Sequence, residues 1–197
     1  MNIPNILSIV RCLLVPIFVA ALLFLRDKGI WAFVVPAAIY GLTALTDMLD
    51  GKIARKYNLI TDFGKFIDPL ADKFMVFGAL IAMLYVFDNI QPIFIWAALI
   101  VIFRELAITS LRLLISKSSG KVVAAAWLGK VKTVTQVVCI MTVLLEPVLF
   151  PFDFMPKLFS FEIPILSFIT IIAMTVMTLW SGIDYFRCYW DVIDPTK

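Results

Sequence analysis

Four aspartates stand out in the stretch from Thr46 to Lys73, TDMLDGKIARKYNLITDFGKFIDPLADK. Asp47 and Asp50 are three residues apart and Asp68 and Asp72 four apart. On helices, each pair presents its two carboxylates on one face within a turn. Four like charges gathered at a membrane boundary repel one another and lose hydration, a cost that cations must offset. An all-carboxylate donor set suits hard, oxygen-seeking ions such as Mg²⁺, Mn²⁺ or Ca²⁺ and not zinc. Two such ions roughly 3.5–4 Å apart clamp the attacking and leaving oxygens around a phosphorus centre, so two-metal chemistry is the expectation. The plainer account of any single aspartate is a helix cap or an ion pair with Lys52, Arg55, Lys65 or Lys73, and Asp62 reads as a cap for the helix that follows. The doubled spacing favours metal. Gly51, Ala54 and Gly64 lie among the carboxylates, and their missing bulk permits close approach of a ligand or a second helix.

The elements that must position these groups are membrane spans. The chain has 197 residues, 62% hydrophobic and 16% charged, against roughly 25% charge in a water-soluble domain. Six apolar segments, at about 4–25, 31–51, 66–87, 92–116, 127–150 and 162–190, are each long enough to cross a bilayer. They use nearly all of the chain and leave no room for a separate catalytic domain. Lipid cannot satisfy an open sheet edge, and the runs lack the alternation of a barrel, so the fold expected is an all-α integral membrane bundle of six transmembrane helices. It forms a single membrane domain over residues 1–197. With Arg11 interrupting the first run, that segment reads as a permanent span and not a cleaved leader.

Charge sets the orientation. Lys52, Arg55, Lys56, Lys65, Lys73, Arg112, Lys117, Lys121, Lys130 and Lys132 collect on one side, and only Arg26, Lys28 and Lys157 on the other. That bias places both termini and the carboxylates on the cytoplasmic side. Inside the cytoplasmic halves of the spans stand Arg11, Arg104, Lys130 and Lys132, and basic groups beside a metal cluster bind an anion. Arg104 has the alternative of pairing with Glu105; Asp184 and Arg187 read as a local pair. Lys132 and Gln136 are one turn apart and share a stripe with Thr135 or Cys139. Histidine is absent, which leaves acid, base and metal work to carboxylates and lysines. Cys12, Cys139 and Cys188, an odd and widely spaced set among apolar neighbours, read as buried small hydrophobes.

The run Asp47, Asp50, Gly51, Ala54, Arg55, Gly64, Asp68, Asp72 resembles the full signature DxxDGxxAR(x8)GxxxDxxxD of the CDP-alcohol phosphatidyltransferases. The resemblance implies six transmembrane helices in a homodimer. It also implies Asp47, Asp50 and Asp68 as ligands of divalent metal, two ions of Mg²⁺ or Mn²⁺, with Asp72 a further ligand or the base for the acceptor hydroxyl. Gly51, Ala54, Arg55 and Gly64 are implied as the CDP-binding positions. The opening NIPNILSIVRCLLVPIF, with Ser8 in an NxxSxxR arrangement, and the segments FRELAITSLR and GKVKTVTQ resemble the phosphatidylglycerophosphate synthase branch.

That branch transfers the phosphatidyl group from CDP-diacylglycerol to sn-glycerol 3-phosphate, releasing CMP, in the bacterial cytoplasmic membrane. Arg11, Arg104, Lys130 and Lys132 then read as the acceptor-phosphate site, since so much positive charge is poorly used on inositol or serine. Two alternatives stand beside this one. A family member could use phosphatidylglycerol or inositol phosphate as acceptor, or the aspartates could serve a divalent-cation transporter. The transporter expects carboxylates near the midplane at broken helices or repeats, a pattern the sequence does not display.

Overall fold

The computed structural model describes residues 3–57, 61–119, 127–150, 157–158 and 163–190. Six helices span Ile3–Phe24 (α1), Trp31–Tyr57 (α2), Asp62–Val86 (α3), Gln91–Ser119 (α4), Trp127–Leu149 (α5) and Ile165–Cys188 (α6). Each is long and apolar enough to cross a membrane, which makes the chain an integral membrane protein. Two strand residues on either side of the α5–α6 connection form a short antiparallel ladder, Lys157 opposite Pro164 and Leu158 opposite Ile163. No periodicity in the sequence announces so brief a pairing.

Helix α1 packs against α2 and α3, α5 against α6 and α2, and α4 against α6. One continuous core joins all six, from Val15 and Phe18 through Tyr40, Met83 and Phe94 to Ile140 and Met174. Close approach of α1 and α3 depends on Gly78, where a Cβ would stand 2.7 Å from Val15 Cγ1. Gly29 has a φ of 60° in the α1–α2 turn, a conformation open to glycine. Across that end of the bundle Arg26 pairs with Asp88 at 3.2 Å. In the spans, threonine hydroxyls return to their own helix, Thr43 to the Ile39 carbonyl and Thr109 to that of Glu105. Lipid offers them no other partner.

The helix bounds differ from the apolar runs at the carboxylate end. Helix α2 continues to Tyr57, because the charged residues after Asp50 are good helix formers that need no lipid to stay folded. The N-cap of α3 is Thr61 and not Asp62. Thr61 is extended (φ −117°, ψ 155°), and its hydroxyl accepts from Gly64 N at 3.0 Å, whereas Asp62 is the first helical residue.

Two further expectations are corrected. Only Cys139 is buried; Cys12 is half-buried and Cys188, the last residue of α6, is exposed. Among the described residues Asp184 and Arg187 form no ion pair.

At the opposite end from the carboxylates, Glu146 of α5 ties down α6. Its carboxylate accepts from Leu166 N at 2.9 Å, Ser167 N at 2.7 Å and Ser167 Oγ at 2.5 Å. The two amides are orphan donors of a helix N-terminus, met by an acid from the neighbouring helix.

Candidate active site

A polar stripe on α1 organises the site. Asn5, Ser8 and Arg11 follow at intervals of three on an otherwise apolar helix, and all three are buried. Because α1 and α3 run side by side in the same direction, the stripe meets α3 in register. Asn5 Oδ1 accepts from the Thr61 hydroxyl at 3.0 Å, and Ser8 Oγ donates to Asp68 Oδ1 at 2.5 Å. Arg11 donates to Asp72 Oδ1. The same Arg11 Nη1 stands 2.7 Å from Asp47 Oδ1 on α2. One guanidinium nitrogen therefore joins the two carboxylate-bearing helices.

Two oxygens that share one donor nitrogen lie within about two hydrogen-bond lengths, roughly 6 Å, of each other. Asp47 and Asp72 are thus neighbours, and the side chains stay 40% and 53% exposed while Arg11 is 1% exposed. Asp68 is held one turn away by Ser8. Among the described residues no three acids are already gathered as a cage. Asp50 belongs to α2, but its side chain, those of Ala54 and Arg55 and the surroundings of Gly51 lie outside what is described. The donor chemistry fits a hard divalent ion: carboxylates converge, and the place between two of them already holds a positive group. At Gly64 a Cβ would meet Asn5 Oδ1 at 2.9 Å, so the space left by this glycine admits the α1 stripe.

A second cluster carries the predicted cations of α4 and α5. Lys132 donates to Glu105 Oε1, and Arg104 Nη1 reaches the same oxygen at 3.4 Å. Arg104 Nη2 donates to Ser181 Oγ of α6 at 3.0 Å. Lys132, Gln136 and Cys139 form the buried face of α5, while Lys130 is exposed. Gln136 Nε2, Arg104 Nε and Thr178 Oγ1 are buried without a hydrogen-bond partner among the described residues. Asp72 is near enough to Lys132 for their charges to interact, which links the two clusters.

At about 1.5 Å per residue, Arg11, Asp47, Asp72, Arg104, Lys132 and Ser181 all lie about 20–26 Å from the far ends of their helices. Six helices thus contribute to one polar layer. It lies toward the carboxylate end of the bundle.

Sequence spacing singles out the carboxylates and the cations as candidates but not the partners they have in the structure. Glu105 and Ser181 were missed as members of the site, and Glu105 entered only as a possible partner of Arg104. The signal available for Glu105 was a second charge inside an apolar span, which seldom stands there without a role.

The chain is 37% identical to the CDP-diacylglycerol–glycerol-3-phosphate 3-phosphatidyltransferase of Bacillus subtilis (strain 168), over 100% of this chain and 99% of the relative. It is 35% identical to the Yersinia enterocolitica protein of the same name, with 99% of each covered. It is 33% identical to a probable phosphatidylglycerophosphate synthase of Mycobacterium tuberculosis (strain H37Rv), over 93% of this chain and 79% of the relative. The pattern that defines the CDP-alcohol phosphatidyltransferases matches residues 1–180, and with the signature carboxylates of α2 and α3 drawn together across Arg11, the chain belongs to that family.

Proposed function

We propose that the protein transfers the phosphatidyl group of CDP-diacylglycerol to the 1-hydroxyl of sn-glycerol 3-phosphate, giving phosphatidylglycerophosphate and CMP. The observation that carries this proposal is the meeting of Asp47 and Asp72 on Arg11, in the same layer as the Arg104–Glu105–Lys132 cluster. An acid-rich place for cations stands beside a base-rich place for an anion. The names and extent of the relatives support the same acceptor.

Asp47, Asp50, Asp68 and Asp72 hold two divalent ions, Mg²⁺ or Mn²⁺. When bound, these ions supply neutralisation of the CDP-lipid diphosphate and of the charge that gathers on departing CMP. Ser8 orients Asp68 by its hydrogen bond, and Gly64 lets Asn5 set the start of α3. Gly51, Ala54 and Arg55 receive the cytidine nucleotide at the end of α2. Arg104, Lys130 and Lys132, with Arg11 at the junction of the two clusters, attract the acceptor phosphate.

Asp72, half-exposed on α3, takes the proton from the acceptor hydroxyl. That oxygen bonds to the phosphatidyl phosphorus as the bond to the CMP oxygen breaks, and CMP leaves with the electron pair. Fixing both reactants in one layer replaces a bimolecular encounter by a positioned one. The acyl chains remain in lipid, against the exposed apolar faces of the helices. Two copies form a homodimer in the bacterial cytoplasmic membrane, with the polar layer open to the cytoplasm.

Purified protein with Mg²⁺, CDP-diacylglycerol and glycerol 3-phosphate is expected to release CMP. Phosphatidylglycerol or inositol phosphate in place of glycerol 3-phosphate is expected to give little. Faster release with either of them would reassign the acceptor, and no release with any alcohol would remove the transferase.

A further inference from the structure

The Lys132–Glu105–Arg104 cluster contains an anion where the proposed function needs a site for an anion. Both cations converge on Glu105 Oε1, and Ser181 anchors Arg104 from the other side. With side-chain exposures of 6%, 17% and 13% for Lys132, Glu105 and Arg104, water does little to weaken these pairs. Further buried polar atoms on the same helices and on α6 are unsatisfied: Arg104 Nε, Gln136 Nε2, one turn from Lys132, and Thr178 Oγ1, one turn from Ser181, lack partners among the described residues. Buried donors without acceptors are costly. A phosphate brings several acceptor oxygens to such a place, where one carboxylate brings two.

We propose that Glu105 is a positioning residue that occupies the acceptor-phosphate site as an internal anion, holding Lys132 and Arg104 in place when the site is empty and competing with the phosphate when it is full. This rests on the transferase function proposed above. The competition matters because the acceptor's phosphate is still present in the product. A site that bound this dianion without an internal rival would hold phosphatidylglycerophosphate as firmly as glycerol 3-phosphate. Glu105 returns to Lys132 as the product leaves.

Removing the charge at constant shape, Glu105→Gln, separates this from a scaffold role. Expected are a KM for glycerol 3-phosphate lowered about fivefold, a reduced kcat from slow product release, and competitive inhibition by inorganic phosphate strengthened by a similar factor. Glu105→Asp, with the charge kept on a shorter arm, is expected to lie between. A KM raised or unchanged, with phosphate inhibition no stronger, overturns the proposal. Should the Gln variant not fold, the same reversal in the Asp variant overturns it.

Inorganic phosphate is also titrated by thermal unfolding of both proteins, without turnover. Stronger stabilisation of Glu105→Gln by phosphate, in a protein whose wild type does not use glycerol 3-phosphate, upholds the internal anion and removes the assigned acceptor. Normal wild-type turnover without that gain removes the internal anion alone.

Discussion

Replacing Arg11 by Met keeps an unbranched buried side chain and deletes the charge that joins Asp47 to Asp72. The two carboxylates then face each other at roughly 6 Å, where unit charges repel by about 0.7–2.8 kcal/mol for effective dielectrics of 80 to 20. Their exposures of 40% and 53% favour the lower part of that range, about 1 kcal/mol. Loss of the two charge-assisted contacts adds about 1–3 kcal/mol after the same discount for water. The total, about 2–4 kcal/mol, corresponds to a Tm lower by roughly 5–15 °C. Thermal unfolding in detergent with a chelator is the assay, repeated with Mg²⁺ or Mn²⁺. With chelator the variant is expected to melt lower than wild type by that amount. A divalent ion replaces the missing positive charge, so the difference is expected to shrink, with the larger metal-induced rise in the variant. An equal melting point in chelator would show that the Arg11 bridge carries no stability, and a gap unaffected by metal would refute these carboxylates as the ion's ligands.

Four other outcomes follow from the same geometry. Asp72→Asn is expected to abolish CMP release while retaining binding of the CDP-lipid, and retained turnover would remove its role as base. Lys132→Ala is expected to raise the KM for glycerol 3-phosphate about tenfold and leave that for CDP-diacylglycerol unchanged in steady-state kinetics. Glu146→Gln turns one acceptor of the α6 N-terminal donors into a donor, and thermal unfolding is expected to show a loss of about 2–3 kcal/mol. Gly78→Ala places a Cβ 2.7 Å from Val15 Cγ1 and is expected to cost about 1–3 kcal/mol, partly restored by Val15→Ala in the double variant.

The six spans were legible because a membrane helix needs an apolar run of fixed length, a property of the local sequence alone. The placing of Asp47 toward the end of α2 and of Asp68 and Asp72 on α3 was legible for a similar reason: membership of a helix is a local property. Relations between helices are set by packing, and there the sequence says less. That Arg11 would pair with both Asp47 and Asp72 was not legible, because it depends on α1 and α3 running in register. The NxxSxxR spacing of Asn5, Ser8 and Arg11 carried that register without indicating which helix it met.

Thr61 displaced Asp62 as the cap because the choice between adjacent residues depends on where the chain turns into the helix. Glu146 lies beyond any local pattern, twenty residues or more from the amides it holds. Glu105 is a charge in a span whose two partners come from within α4 and from α5.

The most direct test of the central claim is anomalous scattering from crystals grown with Mn²⁺ and CDP. Manganese peaks are expected within bonding distance of carboxylate oxygens of Asp47, Asp50, Asp68 and Asp72, with the nucleotide diphosphate against them. Manganese bound elsewhere, with Asp47 and Asp72 still closed on Arg11 beside bound CDP, would contradict it.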